Sequence, residues 1–314
     1  MTSFKNSTEN LFYMKLMAPL FFTLSLLQFA CGPSLVCLNF TDSIVDSAKD
    51  TVSFITFGDW GQNSGNQREV ARAMHDFCLT QDCDFVVTLG DNFYETGVSS
   101  ITDTQWYDNY TCIYSSVGLP FYASLGNHDL DGNIQAQIDY SQIDETWHMP
   151  GTYYSVNFPE NSEAPVIQFF IINPYDFTDT QTTWLTTALA ASQANWKILV
   201  VHTPIISNGA HGDDAAQINS QLLPIICNQI DVVLAGHDHI FSHLRQTLDS
   251  CAIEQVIIGT GGGNLHLGDF SNDTRVLSTG TFFGFGWLQA TSNQLDFKMI
   301  TAEKSTYYSY QWTK

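Results

Sequence analysis

The sequence predicts an α/β fold in which two mixed β-sheets pack together between flanking helices. Short apolar, β-branched runs alternate with stretches of helical period, a pattern typical of strands joined by helices. The chain also contains more strand-like runs than one sheet covered on both faces requires. With 314 residues, 44% of them hydrophobic, the chain is long enough to bury the core of such a sandwich.

The predicted elements follow one another along most of the chain. Continuous apolar runs predict buried strands at 52–57, 85–89, 197–201 and 231–234. Stretches of helical period predict helices at 67–78 and 183–194. Further runs at 152–158, 166–172, 254–258 and 282–301 have the pattern of antiparallel or mixed strands. Because no repeat or long flexible linker divides these elements, we expect one large domain.

The N-terminus has the pattern of a signal peptide. Lys5 and Lys15 precede an apolar run over 16–30, which ends in the small-residue sequence Ala30-Cys31-Gly32. This run is short for a membrane span, although a retained signal anchor is the alternative. We therefore predict a cleaved leader at 1–32 and a single domain at 33–314.

The charge balance is strongly acidic. Thirty-two acidic residues against eleven basic ones give a formal net charge of -21. Such a chain should repel nucleic acid and anionic membrane surfaces, so we expect neither as a partner. An anionic substrate would need a strong local positive centre, and a bound metal can supply one where Lys and Arg are scarce.

Two further features are consistent with secretion. Glycosylation acceptor triplets begin at Asn39, Asn109 and Asn272. The cysteines that we consider for disulfides are Cys78 with Cys83, and Cys227 with Cys251.

The apolar runs end in polar residues of the types that bind metals. These residues are Asp59, Asp91, Tyr94, Asn127, His128, His202, His237 and His239. Taken singly, an ordinary turn or a packed histidine explains each one. Together, however, carboxylate, amide, phenol and imidazole groups at successive strand ends favour a metal site. Oxygen and nitrogen ligands without a thiolate suit iron, zinc or manganese, and so many ligands fit two ions bridged by one carboxylate.

Five motifs in this order carry a resemblance to a known family. They are GDWG at 58–61, GDNFY at 90–94, GNHD at 126–129, VVH at 200–202 and GHDH at 236–239. The chain resembles the metallophosphoesterases of the calcineurin-like superfamily, and in particular the small, tartrate-resistant type of purple acid phosphatase. The resemblance covers nearly the whole chain after the leader. It implies a four-layer αββα sandwich.

The resemblance also implies a role for each matching residue. Asp59, Tyr94 and His239 would hold Fe(III), Asp91 would bridge both metals, and Asn127, His202 and His237 would hold a divalent iron, zinc or manganese ion. Metallophosphoesterases without the tyrosine typically read Asp-x-His at the first motif, whereas this chain reads Asp59-Trp60-Gly61. The loss of that histidine agrees with the gain of a tyrosinate ligand at Tyr94.

The implied activity is that of an acid phosphatase. A metal-bound hydroxide would attack small-molecule or protein phosphate monoesters, while His128 and His211 orient the phosphate and protonate the leaving group. The resemblance further implies a monomer that is secreted or resides in a lysosome-like or vacuole-like compartment, free of the membrane after leader cleavage. The alternatives are a phosphodiesterase of the same fold and a non-catalytic binding protein or iron carrier, which should have lost one or more ligands.

Overall fold

The computed structural model describes residues 50–213, 216–248, 250–266 and 272–314, and the predicted leader lies outside them. The strands are β1 (Val52–Phe57), β2 (Phe85–Thr88), β3 (Phe121–Tyr122), β4 (Trp147–His148), β5 (Tyr154–Phe158), β6 (Ile167–Ile171), β7 (Trp196–Val201), β8 (Val232–Ala235), β9 (Phe241–Leu248), β10 (Cys251–Ile258), β11 (Val276–Gly280), β12 (Gly284–Ala290), β13 (Gln294–Thr301) and β14 (Thr306–Thr313). The helices are α1 (Gly65–Cys78), α2 (Cys112–Tyr114), α3 (Asn127–Leu130), α4 (Ile134–Tyr140), α5 (Asp179–Ala191) and α6 (Ala216–Ile226), with a π-helical turn at Trp106–Thr111 and a 3₁₀ turn at Pro174–Asp176.

The strands form two seven-stranded mixed sheets. The first has the order β14-β13-β12-β1-β2-β3-β4, and the second has the order β11-β9-β10-β8-β7-β6-β5. In the first sheet β1 to β4 are parallel, and β12 to β14 extend it antiparallel. In the second sheet β6, β7, β8 and β10 are parallel, with antiparallel strands at both sides. The predicted pair of mixed sheets is confirmed.

Aromatic side chains fill the space between the two sheets. Phe54 of β1 meets Phe169 of β6 edge to face at 5.0 Å, and Phe85 of β2 stacks on Phe158 of β5 at 3.7 Å. All four are at most 1% exposed. Truncating one such ring to alanine costs about 3–5 kcal/mol of unfolding free energy, because the cavity collapses only partly. This layer fixes how the two sheets face each other.

Helices cover the outer faces of both sheets. On the first sheet, α1 buries Val70 and Met74, and its N-terminus is capped by Ser64, whose hydroxyl accepts a hydrogen bond from the Gln67 amide. On the second sheet, Leu185 of α5 and Leu222 of α6 belong to a separate buried cluster on that sheet's outer face. The result is the αββα order of layers that the resemblance implies.

The two proposed cysteine pairs behave differently. Cys78 and Cys83 form a disulfide, as predicted. Cys227 and Cys251 are free, so the second pairing is wrong: Cys251 is buried at the start of β10, and its thiol contacts that of Cys227 as a hydrogen-bonding partner without a covalent bond. Cys112 is also disulfide-bonded.

The described residues all belong to one compact unit. Within them, no helix combines the length and the apolar character needed to cross a bilayer.

Candidate metal centre

The predicted ligands lie together where strands of both sheets end. Asp59 follows β1 and Asp91 follows β2 in the first sheet, whereas His202 follows β7 and His237 follows β8 in the second. Within each sheet the two strands point the same way, since β1 pairs with β2 and β7 with β8 in parallel. Ligand sites of α/β folds are normally built at the carboxyl ends of such strands. Both sheets therefore contribute to one site.

Three of these residues have backbone conformations that residues other than glycine rarely adopt. The φ angle is 60° at Asp59, 50° at Asp91 and 69° at His237. Such strain persists only where the surrounding structure imposes it, and it concentrates at functional sites. At Gly126 an added Cβ would lie 2.2 Å from Oδ1 of Asp91, so only glycine allows the backbone to approach that carboxylate.

Tyr94 connects one half of the site. Its hydroxyl oxygen lies 2.8 Å from Oδ2 of Asp91, 3.3 Å from Oδ1 of Asp59 and 3.2 Å from Nε2 of His239. His239 Nε2 is in turn 3.3 Å from Asp59 Oδ1. Ligand atoms of Asp59, Asp91 and His239 all lie within 4.8 Å of one another. This spacing suits a group that closes around one ion.

Asn127 connects the other half. Its Oδ1 lies 3.2 Å from Nε2 of His202 and 3.0 Å from Nδ1 of His237. His202 Nε2 is also 3.5 Å from Oδ2 of Asp91, the oxygen that the Tyr94 hydroxyl contacts. Asp91 thus lies between the two halves, which is the position that a bridging carboxylate requires.

Backbone carbonyls orient two of the imidazoles. His202 Nδ1 lies 2.6 Å from the Leu89 carbonyl, and His239 Nδ1 lies 2.6 Å from the Asn264 carbonyl. Because a carbonyl only accepts, each Nδ1 must carry the proton and donate it. In the neutral ring each Nε2 then faces the site with its lone pair, as metal-binding histidines require.

A fully buried carboxylate supports the loop that carries the central ligands. Asp129 accepts hydrogen bonds from the backbone amides of Asn92, Phe93 and Gly126, at 2.8 to 3.2 Å, and from the side-chain amide of Gln137 at 3.0 Å. These bonds connect the segment after β2 to the segment after β3. Asp129 therefore fixes the separation between the loops of Asp91 and Asn127.

His128 and His211 lie beside the centre and outside its close contacts. The His128 ring is 4.4 Å from the Tyr94 ring, and its Nδ1 donates to the Glu95 carbonyl. His211 stacks on His237 with ring centroids 4.2 Å apart, and its side chain is exposed. The two imidazoles thus flank the ligand cluster, where they can reach a bound molecule.

The electrostatics of the cluster reflect buried groups of opposite charge. Burial lowers the pKa of His202, but the carboxylates of Asp91 and Asp59 outweigh it and raise the pKa to about 9. Burial and the neighbouring His202 lower the pKa of His237 to about 4. For Asp91, burial is opposed by the charge and hydrogen bond of His202, which hold its pKa well below the usual range. The ionised form of Asp91 thus depends on nearby positive charge.

The donor set fits a pair of metal cations. Burial, with the charges of Asp59 and Asp91, raises the pKa of the Tyr94 hydroxyl far above its ordinary value. Without a cation, Tyr94 therefore remains a neutral phenol between two carboxylates. A strongly charged cation reverses this situation, because it binds phenolate and carboxylates together and lowers the pKa of its ligands. Oxygen-rich ligands with imidazoles are those that iron, zinc and manganese accept.

Several residues around the site are not predicted from the sequence. Asp129 stood unassigned inside the GNHD motif, and Asn92 inside GDNFY. Tyr175 has no signal in the sequence. It lies in the 3₁₀ turn between β6 and α5, and its hydroxyl reaches Asn127 Oδ1 at 3.4 Å only in the folded protein. For Asp129 and Asn92, the signal in the sequence is a polar residue that stands beside a predicted ligand in the same motif.

Comparisons with known proteins agree with the architecture. Residues 52–241 match the calcineurin-like phosphoesterase family. The chain is 30% identical over 288 residues to purple acid phosphatase 3 of Arabidopsis thaliana, covering 84% of this chain and 78% of that protein. It is 29% identical over 253 residues to tartrate-resistant acid phosphatase type 5 of Homo sapiens, covering 70% of this chain and 75% of that protein.

A solved structure shares the fold at lower identity. GAP50, the anchor in the inner membrane complex of Plasmodium, superposes with a TM-score of 0.72 and 21% identity, covering 84% of this chain and 89% of that one. At this identity the likeness concerns the fold alone.

The fold and these matches together define a metallophosphoesterase, a hydrolase that acts on phosphate esters. The chain belongs to the purple acid phosphatases of the calcineurin-like phosphoesterase family. The resemblance drawn from the five motifs is confirmed.

Proposed function

We propose that the protein is an acid phosphatase that hydrolyses phosphate monoesters with a hydroxide nucleophile at a dinuclear centre. The observation that carries this proposal is the position of the Tyr94 hydroxyl, within 3.3 Å of Asp59, Asp91 and His239. A phenol surrounded by two carboxylates and an imidazole is suited to a trivalent cation, since phenolate donation stabilises the ferric state. The matches to purple acid phosphatases support the same conclusion.

Each half of the site would hold one ion. Asp59, Tyr94 and His239 would hold Fe(III), Asp91 would bridge, and Asn127, His202 and His237 would hold a divalent iron, zinc or manganese ion. When bound, the two cations would acidify a water molecule to supply the nucleophile and would neutralise charge on the phosphate. The strained backbone at Asp59, Asp91 and His237 supports this assignment, because it aims those residues before any ion binds.

The two flanking histidines would handle the substrate. His128 donates Nδ1–H to the Glu95 carbonyl, which leaves Nε2 free to take and release a proton. The His211 ring is exposed and stacks on His237, which supports a role for it in contacting a bound ester. Either ring would hydrogen-bond the phosphate and protonate the leaving oxygen. Each thereby acts on the substrate and not as a metal ligand.

The remaining sequence predictions belong to the same proposal. A leader at 1–32 would direct a single catalytic domain at 33–314 out of the cytosol, to the exterior or to a lysosome-like or vacuole-like compartment. The Cys78–Cys83 disulfide supports an oxidising environment. We further propose that the mature protein is a monomer and that small-molecule or protein phosphate monoesters are its substrates.

The test compares an aryl phosphate monoester with the corresponding diester at acidic pH. We expect the monoester to be hydrolysed far faster by protein that retains its metals. Asp91→Asn should lower kcat/KM for the monoester by more than about 100-fold, because the bridging charge is lost. Asp131→Asn is the matched control, since Asp131 is exposed and close in sequence to the centre. Preferred cleavage of the diester would instead make the protein a phosphodiesterase, and no turnover of either ester would favour a binding role.

A further inference from the structure

A second group of potential metal ligands lies beside the main centre. It comprises His211, Asp238 and His266, whose ligand atoms all lie within 4.8 Å of one another. The three come from the segment after β7, the segment after β8 and the segment after β10. None of them is among the residues proposed for the dinuclear centre. The group, which we call the His211–Asp238–His266 cluster, is therefore available while that centre is filled.

The spacing within the cluster fits a tetrahedral ion. His266 Nδ1 lies 3.4 Å from Asp238 Oδ1. With metal–ligand bonds of about 2.0–2.1 Å, two ligand atoms of a tetrahedral zinc ion lie roughly 3.4 Å apart. The His211 ring is 5.0 Å from the His266 ring, so its imidazole is near the third position. A water molecule could occupy the fourth position on the exposed side.

Two of the three ligands are already held in place. Asp238 is fully buried, and its carboxylate accepts hydrogen bonds from the Ser207 hydroxyl and from the His211 backbone amide at 3.0 Å. His266 stacks on His239 with centroids 4.7 Å apart and an interplanar angle of 2°. A carboxylate and an imidazole fixed in this way lose little side-chain entropy when an ion binds.

The third ligand is free to adjust. His211 has an exposed side chain, while its backbone is anchored to Asp238. The ring stacks on His237 on one side, and because the side chain is otherwise exposed it can move toward the ion at the cost of that one stacking contact. One contact opposes binding, because His266 Nδ1 accepts a hydrogen bond from the His239 amide at 3.2 Å and would exchange it for the ion. This exchange, and repulsion from neighbouring cations, should make the site weaker than the dinuclear centre.

From this geometry we infer that the His211–Asp238–His266 cluster is a third, regulatory metal site that binds Zn²⁺ and thereby withdraws His211 from the phosphate. Two imidazoles and one carboxylate are the ligands of many zinc sites, whereas Mg²⁺ and Ca²⁺ prefer all-oxygen sets. The predicted inhibition rests on the proposed role of His211 in phosphate hydrolysis, whereas the predicted binding of zinc is independent of that role.

The test measures zinc binding directly. Protein purified with its own metals is titrated with ZnCl₂ by calorimetry, and zinc uptake is confirmed by metal analysis after dialysis. We expect one additional Zn²⁺ per chain, with affinity reduced more than about tenfold in His266→Gln. His75→Gln is the matched control, because His75 lies on α1 and pairs with Asp76, away from the cluster. It should bind zinc as the wild type does.

A second variant and an activity measurement separate the possible failures. His211→Gln, at an exposed side chain, should also weaken zinc binding, and it keeps the test valid if His266→Gln folds poorly. Added Zn²⁺ should inhibit monoester hydrolysis in the wild type and in His75→Gln, and much less in His266→Gln. Two results would overturn the inference: no additional zinc bound by the wild type, or zinc affinities of both cluster variants equal to that of the wild type. Zinc binding without any phosphatase activity would uphold the site and reject only the proposed function.

Discussion

The hydroxyl oxygen of Tyr94 lies 2.8 Å from Oδ2 of Asp91, and Asp91 in turn faces His202 across the same oxygen. This carboxylate is 1% exposed, so its charge has almost no solvent to stabilise it. The contact therefore places a neutral phenol and a buried carboxylate at one point, and a shared cation can bind both as phenolate and carboxylate.

The first prediction concerns colour. If Tyr94 binds Fe(III), the purified protein should show a broad visible absorption band from phenolate-to-iron charge transfer, with about two metal ions per chain. Tyr94→Phe removes the phenolate and should abolish the band. The measurement is the visible spectrum with metal analysis of the same sample.

Tyr175→Phe provides a matched control for that experiment. Its hydroxyl also reaches the site, at 3.4 Å from Asn127 Oδ1, but contacts none of the groups around Tyr94. The band should therefore survive in this variant. A folded wild-type protein with two metals and no band would show that Tyr94 is not bound to iron.

Much of the fold could be predicted because buried strands have a strong sequence signal. The run 52–57 is β1 with the same bounds, and 85–89 differs from β2 by one residue. Both are continuous apolar segments of a covered parallel sheet. The two-residue strands β3 and β4 have no such signal, and β14 alternates exposed and half-buried residues at a sheet edge, so its pattern resembles a surface segment.

The proposed metal ligands of the centre could be predicted from the sequence, but the residues that hold those ligands in place could not. Asp59, Asp91 and His237 each follow a glycine directly after a strand, so the sequence places them without tertiary information. Asp129 and Tyr175 depend on how loops pack across the molecule, and such packing leaves no local pattern. The same limit applies to His266, which approaches His211 only through folding.

The second prediction tests Asp129 as the support of the two central loops. Asp129→Asn replaces one acceptor oxygen with a donor that faces backbone N–H groups, so at least one hydrogen bond must break. We expect the free energy of unfolding to fall by about 1–3 kcal/mol. Metal content should fall as well, because Asp91 and Asn127 lose their fixed separation.

The measurement is urea unfolding together with metal analysis. Asp131→Asn, at an exposed position two residues away, should change neither quantity. Retention of full metal content in a destabilised Asp129→Asn protein would mean that the loops are positioned by other contacts.

The third prediction distinguishes the glycosylation triplets. Asn39 lies outside the described residues, and Asn272 is exposed. Asn109 is only 5% exposed, and its side-chain amide donates to the Gly61 carbonyl at 2.7 Å. A glycan on that nitrogen would replace one of the two N–H groups that donate to Gly61 and to Gln105 Oε1, and the buried position leaves it no room, so we expect Asn109 to support the first motif and not to carry a glycan.

We expect secreted protein to carry a glycan at Asn272 and none at Asn109. Peptide mapping after enzymatic deglycosylation checks this, since a released glycan leaves aspartate at the modified position. Asn272→Gln should remove that signal and leave the enzyme folded. Detection of a glycan at Asn109 in folded protein would contradict the buried placement.

The fourth prediction concerns stability in acid, where an acid phosphatase must remain folded. A polar cluster joins the two sheets: Glu254 of β10 accepts hydrogen bonds from Arg245 of β9 and from Trp312 of β14, and lies 2.8 Å from His243 Nε2. Burial opposes ionisation of Glu254, but the hydrogen bonds from His243 and Arg245 lower its pKa to about 2.

The direction of the pH effect follows from this shift. The folded pKa lies below the unfolded value, so the ionised Glu254 stabilises the protein fully above about pH 4.5, and that stabilisation is lost as the pH falls toward 2. Since the cluster is partly open to solvent, we expect a contribution of about 1–2 kcal/mol. Glu254→Gln should therefore be less stable than the wild type at pH 6, and the difference should shrink as the pH approaches 2.

Urea unfolding midpoints across this pH range give the measurement. Glu303→Gln, at an exposed turn, is the control and should follow the wild type throughout. If the Glu254→Gln deficit were the same at pH 2.5 as at pH 6, the cluster would stabilise the sheets by shape and not by charge.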